Sequence, residues 1–174
     1  VKQLEALGED KLISHQEQIK DKIVADIKRP KAVKGITKAV SNSTRLHDPS
    51  FELQENIYDH NNQLLYPSGL IINPLEKKAF DEIWVLIDGD DALQVEFAKN
   101  YQEPNTTLNK IKKIILINGA PGIQEDGSFF FFDQMGEISK RLDISKVPSI
   151  IRQAPSQPQI LIEEVALDRE EKAE

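Results

Sequence analysis

Three aspartates within four residues, Asp88, Asp90 and Asp91, stand where an apolar run gives way to a helical pattern. Carboxylate oxygens in such a cluster can ligate a divalent cation. They can also act as acid and base when their surroundings drive their pKa values apart. Open α/β sheets place their sites at the carboxyl ends of strands, and Asp133 follows a second apolar run in the same way. A carboxylate or metal-dependent enzyme built on Asp88, Asp90, Asp91 and Asp133 is therefore one reading. The competing reading is structural and is preferred: an aspartate ahead of a helix accepts from its first free N–H groups and complements its dipole. A calcium loop of the helix–loop–helix kind needs a distal Glu and further oxygen ligands. Leu93 and Val95 occupy that stretch, which rejects the motif.

Other chemistries find less support. His15, His47 and His60 are scattered, and no two share a metal-ligand spacing. Asn118-Gly119-Ala120-Pro121-Gly122 lacks the Lys-Ser/Thr of a phosphate loop, and Pro121 removes a backbone donor. Ser145 and Ser149 flank Pro148 with no histidine nearby in sequence to serve as base. Phe129 to Phe132, a short helical stretch, the loop ending Val147-Pro148 and the apolar Ser149-Ile150-Ile151 follow one another in the order by which a thioredoxin-like fold presents its cis-proline. Thiol–disulfide exchange requires a thiolate, and the chain has no cysteine. The scaffold therefore points to binding rather than redox catalysis. No cofactor and no metal are expected. A cysteine-free peptide-binding chaperone is a third, weaker reading.

Four segments must position these residues. Residues 1–29 form a polar helical arm with Leu12, Ile19, Ile23 and Ile27 on one face. Glu9 and Asp10 are read as lying near its start, and Pro30 stops it. Its narrow apolar face suits packing on its own domain or docking on a partner chain. Residues 30–50 read as an extended linker, with Pro30, Gly35, Asn42, Asp48 and Pro49 among few apolar anchors. Residues 51–78 read as a β-hairpin or meander turning at Asp59-His60-Asn61-Asn62 and expected to lean on the main domain. Residues 79–174 are the compact unit, an α/β domain with a mixed sheet flanked by helices. Ile83 to Ile87 and Ile111 to Ile117 are continuous apolar runs, as in strands buried on both faces. Leu93, Phe97 and Tyr101 mark a helix that Asp90 or Asp91 caps and Pro104-Asn105 ends. Asp133 is placed to cap a helix carrying Ile138 and Leu142. The four phenylalanines alternate sides, two to each face; they read as core, or as a docking surface if one face is uncovered. The charged tail Asp168–Glu174 is expected to fray.

Charge narrows the partners. The net charge is −7 and the isoelectric point is near 5.1, which disfavours nucleic-acid phosphates and anionic membrane surfaces. No apolar run approaches the roughly 20 residues that span a bilayer. Val1-Lys2-Gln3-Leu4 shows no secretory signal and no initiating Met, as expected of a mature product.

With these residues in view, the chain resembles the TraW family of F-type conjugative transfer proteins. The resemblance is carried by Lys28-Arg29-Pro30 through Gly35-Ile36 and by Asp48-Pro49-Ser50-Phe51. It continues through Ile57-Tyr58-Asp59, Leu65-Tyr66-Pro67-Ser68-Gly69 and Asn73-Pro74-Leu75. The same holds for Val85 to Asp91 with its Asp88-Gly89-Asp90 centre, Phe132-Asp133-Gln134, Gly136 and Val147-Pro148-Ser149. Asp126-Gly127-Ser128 and the phenylalanines after it are more aromatic than the family pattern. The resemblance implies a non-catalytic periplasmic protein of a type IV secretion system, exported after signal removal. It implies a role in pilus assembly and mating-pair formation, with TrbC as partner and docking as mechanism.

Overall fold

The computed structural model describes residues 2–103 and 110–167, with side chains from residue 15 onward. Helix α1 runs Lys2–Lys28. Glu9 and Asp10 therefore lie inside it and do not mark its start. Lys2 to Leu7 are all strong helix formers, so the helix extends back through them. It ends just before Pro30, which disfavours helical backbone at the residue before it.

Strands β1 (Ser43–His47), β2 (Glu82–Asp88), β3 (Ile111–Asn118), β4 (Gly122–Ile123), β5 (Phe129–Phe132), β6 (Ser149–Gln153) and β7 (Ile160–Glu164) form one seven-stranded sheet. Their order is β1-β7-β6-β2-β3-β5-β4. β2, β3 and β5 are parallel, and the neighbours on either side pair antiparallel. Helices α2 (Ala92–Asn100) and α3 (Glu137–Arg141) belong to the same α/β unit. The helix expected to end at Pro104-Asn105 already ends at Asn100; Pro104 and Asn105, like the tail Asp168–Glu174, lie outside the described residues.

Each face of the sheet carries a core. On one face Ile83, Val85, Ile87, Ile114, Leu116 and Phe130 pack with Ala98 and Val95 of α2. On the other, Leu86, Ile115, Ile117, Ile151 and Ile162 pack with Leu142 and Ile144, with Ile138, Leu75, Phe80 and Val33 at the margin. Alternation along β2 sends Val85 and Ile87 to the first face and Leu86 to the second.

The stretch 30–50 does more than link. Ser43 to His47 pair with Glu164 to Ile160 as the outermost strand. The Arg45 guanidinium donates to the carbonyls of Leu142 and Asp143. Further upstream, Thr37–Lys38 pairs parallel with Lys146–Val147, immediately before Pro148, whose peptide bond is cis. Residues 51–72 form an antiparallel arm, Phe51–Glu52 with Ile71–Ile72 and Ile57–Tyr58 with Leu64–Tyr66. The arm does not lean on the sheet as expected: Phe51, Ile57, Tyr58, Leu64, Leu65, Tyr66 and Ile71 are all exposed. Its base is fastened where the Asn73 amide donates to the Pro158 carbonyl at 2.8 Å.

Core and arm must therefore respond differently to truncation. Leu86→Ala opens a cavity between β3, β6 and the second core and is expected to lower unfolding free energy by about 2–5 kcal/mol. Leu65→Ala, in the arm, is expected to change it by no more than about 0.5 kcal/mol. Urea unfolding followed by Trp84 fluorescence measures both.

Candidate functional site

The register of the parallel strands brings Asp88, Asn118 and Asp133 to one edge of the sheet, the edge at which α/β folds place their sites. What the aspartates do there is mostly structural. Asp91 is the N-cap of α2, its Oδ1 accepting from the Leu93 N–H at 3.0 Å. Its Oδ2 takes Lys38 Nζ at 3.0 Å and the Gln94 amide at 3.2 Å. Gln94 is buried, and its amide oxygen accepts from the Asp88 N–H at 2.9 Å. Asp88 Oδ1 accepts from the Asp90 N–H and from Asn118 Nδ2. Asp90 Oδ2 receives Asn118 Nδ2 at 3.0 Å and Arg29 at 2.5 Å. Gly89 is required at this junction, because a Cβ there would stand 2.8 Å from the Asn118 carbonyl oxygen.

Asp133 does not join this cluster. It is buried, and its carboxylate accepts from the Ile138 and Ser139 N–H groups and the Ser139 hydroxyl. It fastens the start of α3, the role the sequence suggested for it, across a 3-10 turn at Gln134–Gly136. Among the described residues no group of three or more His, Asp or Glu is placed to hold a metal ion. His15, His47 and His60 sit on α1, on β1 and in the turn of the arm.

The same edge is crossed by the chain itself. The Val33 N–H donates to the Ile117 carbonyl, Thr37 to Ser145 and Ala39 to Val147. The backbone just before Pro148 is paired with Thr37–Lys38. Pro148 and Ser149 are fully buried, and the Ser149 hydroxyl donates to the Lys146 carbonyl.

The open surface lies beside this edge. Phe130 is buried and Phe132 half-buried against the α2 core, but Phe129 and Phe131 point to the other face and are exposed. Their rings meet edge to face at 4.8 Å. With Ile23 and Ile27 of α1, Val33 and Met135 they line a groove of about 1010 Å³. Of the α1-face residues singled out in sequence, Ile19, Ile23 and Ile27 are exposed, Ile27 at 68%. Leu12 lies outside the residues whose side chains are described. The structure thus brings Ile23 and Ile27 together with two phenylalanines, which sequence periodicity alone does not reveal. The period-two alternation of Phe129 to Phe132 in a strand is the sequence signal for it.

Protein TraW from Escherichia coli (strain K12) is 35% identical to this chain over 138 residues, 78% of the chain. The match covers 64% of that protein, so the chain spans a little under two thirds of the relative's length. No family model matches the chain, and no solved structure matches it.

The junction has a pH signature. Burial alone would raise the Asp91 carboxyl, but hydrogen bonds from Lys38 and Gln94 outweigh it and hold the group below its ordinary value. A depressed folded-state pKa contributes stability above the unfolded value, lost as pH falls through the folded one. Asp91→Asn keeps a competent cap but loses the ion pair with Lys38. The wild-type margin over Asp91→Asn is therefore expected near pH 7 and expected to vanish in acid below the ordinary carboxylate range. Urea unfolding at a series of pH values reads it.

Proposed function

The chain belongs to the TraW family, and on that premise we propose that it is a non-catalytic assembly protein of a conjugative type IV secretion system. It works in the periplasm, in pilus assembly and mating-pair formation, by docking on other subunits, TrbC first among them. The likeness to Protein TraW carries this reading. Two structural observations support it. The carboxylates at the strand ends are engaged in capping and ion pairs rather than aimed at a common point. Large apolar side chains stand exposed on α1, on β5 and on the arm, more than a freely soluble surface needs. Among the described residues no helix is long and apolar enough to cross a membrane.

The scaffold we propose is thioredoxin-like. The loop ending Val147-Pro148 that leads into β6, beside the β2–α2 junction that carries Asp88 to Asp91, supports that assignment. Its peptide-receiving edge is closed by Thr37–Lys38, so docking falls to the surfaces at the margins. The face of Leu12, Ile19, Ile23 and Ile27 on α1 is the first of them.

Co-purification tests the proposal. A TrbC-like protein from the same transfer operon is expected to co-purify with the full chain, and to be lost from the double variant Ile23→Asp/Ile27→Asp. Retention by that variant would move the contact from α1 to the arm or the sheet. Absence of binding to every protein of the operon would overturn the assembly reading.

A further inference from the structure

The molecule displays two apolar surfaces that are unlike in charge and lie at opposite edges of one sheet. The first is the arm. It leaves from β1, the outermost strand on one side. Between residues 48 and 76 the chain has Asp48, Glu52, Glu55, Asp59 and Glu76, and no Lys or Arg. Ile57, Tyr58, Leu64, Leu65 and Tyr66 project from its tip ladder and are exposed, Leu65 at 52%. An isolated two-stranded ladder is marginal in water, and this one receives almost no cover from the sheet.

The second is the groove lined by Ile23, Ile27, Phe129, Phe131 and Met135, at the β5–β4 side. Lysines surround it: Lys31, Lys34 and Lys140 are lining residues, against Asp26 as the one acid among the lining groups. Among the described residues none of these three lysines is ion-paired. Lys140 Nζ donates only to the Met135 carbonyl. On a chain of net charge −7 this is a local positive site over an apolar floor.

We infer that the arm of one copy seats in the groove of a second copy. An acidic, apolar projection and a basic, apolar recess match in both charge and character, which favours encounter and register. The docking is between chains because the arm tip (Ile57, Leu65, Tyr66) and the groove residues (Ile27, Phe129, Met135) of one chain are all left exposed by its own fold, with the base of the arm fastened at Pro158. Each copy then offers one arm and one groove. The contact is head-to-tail, and it closes into a ring or runs on as a filament according to the rotation between neighbours. Salt weakens its ionic share and leaves its apolar share. The inference stands on the two surfaces and does not require the transfer-machinery reading.

Light scattering on the full-length chain after size exclusion tests it. The wild type is expected to rise above the 19.7 kDa of one chain as concentration increases, and to fall back in high salt. Leu65→Asp in the arm and Met135→Asp in the groove, where Met135 is 84% exposed, are each expected to stay at the mass of one chain. Mixed together they are expected to form a pair of about twice that mass and to stop there. One supplies the intact groove, the other the intact arm, and the remaining arm and groove are disabled. Circular dichroism first confirms that both variants are folded, with Leu64→Ser in reserve for the arm. A wild type that stays at the mass of one chain, single variants that associate as it does, or folded variants whose mixture does not pair would each overturn the inference.

Discussion

Burial of β2 on both faces is the constraint from which the other features follow. Val85, Leu86 and Ile87 are all without solvent exposure, so each side of the sheet at that strand must be covered. A helix crossover joins β2 to β3 and lays α2 over one face, as parallel pairing requires. Among the described residues the other face has no comparable helix packed into its core. It is closed by the short α3, by Ile144 and Val147, by the crossing residues Val33 and Ile36, and by Leu75 and Phe80 at the base of the arm. Cover assembled from such pieces reaches the centre of the sheet and stops before β5. Phe129 and Phe131 are exposed because the covering elements end there.

The same crossing segment decides what the carboxyl end of the sheet can do. In an open α/β sheet that end is where ligands enter. Here Val33, Thr37 and Ala39 donate to Ile117, Ser145 and Val147 across it, and Lys38 and Arg29 neutralise Asp91 and Asp90. The two ion pairs are not equivalent. Asp91 is a partly buried cap held by three donors, whereas Arg29 and Asp90 are both about half exposed. An exposed pair contributes only about 0–1 kcal/mol. The junction is therefore firmly built, but the hold it has on α1 is slight. The isoleucines of that helix, Ile19, Ile23 and Ile27, stand in solvent.

Much of this was legible in the sequence, and the pattern of misses is physical. Continuous apolar runs announce strands buried on both faces, and β2 and β3 lie where the runs lie. The cap at Asp91 and the role of Asp133 follow from residue type and spacing, because capping is a local interaction. β1 was read as linker for the opposite reason. Ser43-Thr44-Arg45-Leu46-His47 has one large apolar residue, and its strand state rests on backbone pairing with residues about 120 positions away. No local pattern encodes that partner. The buried Gln94, which joins Asp88 to Asp91, is invisible as a polar position on a helix until the bulge after Ile87 turns the Asp88 N–H toward it.

The groove was half legible. Alternation along Phe129 to Phe132 required two rings on each face, and only the three-dimensional course of the chain determined that one face would be left open. A two-sided requirement met by short pieces has a consequence at each end of the sheet. At the β1 end the chain extends into an arm whose apolar residues have nothing of their own to cover. At the β5 end it leaves an apolar floor with Lys31, Lys34 and Lys140 around it. Neither surface is accounted for by the stability of the single chain, since the two cores close without them. Apolar area kept in water at both margins of an otherwise closed fold is a standing free-energy cost, on the order of 25 cal/mol for each Å². Association would relieve that cost, and both candidate surfaces stand at the margins of the sheet, away from the strand ends where the aspartates stand.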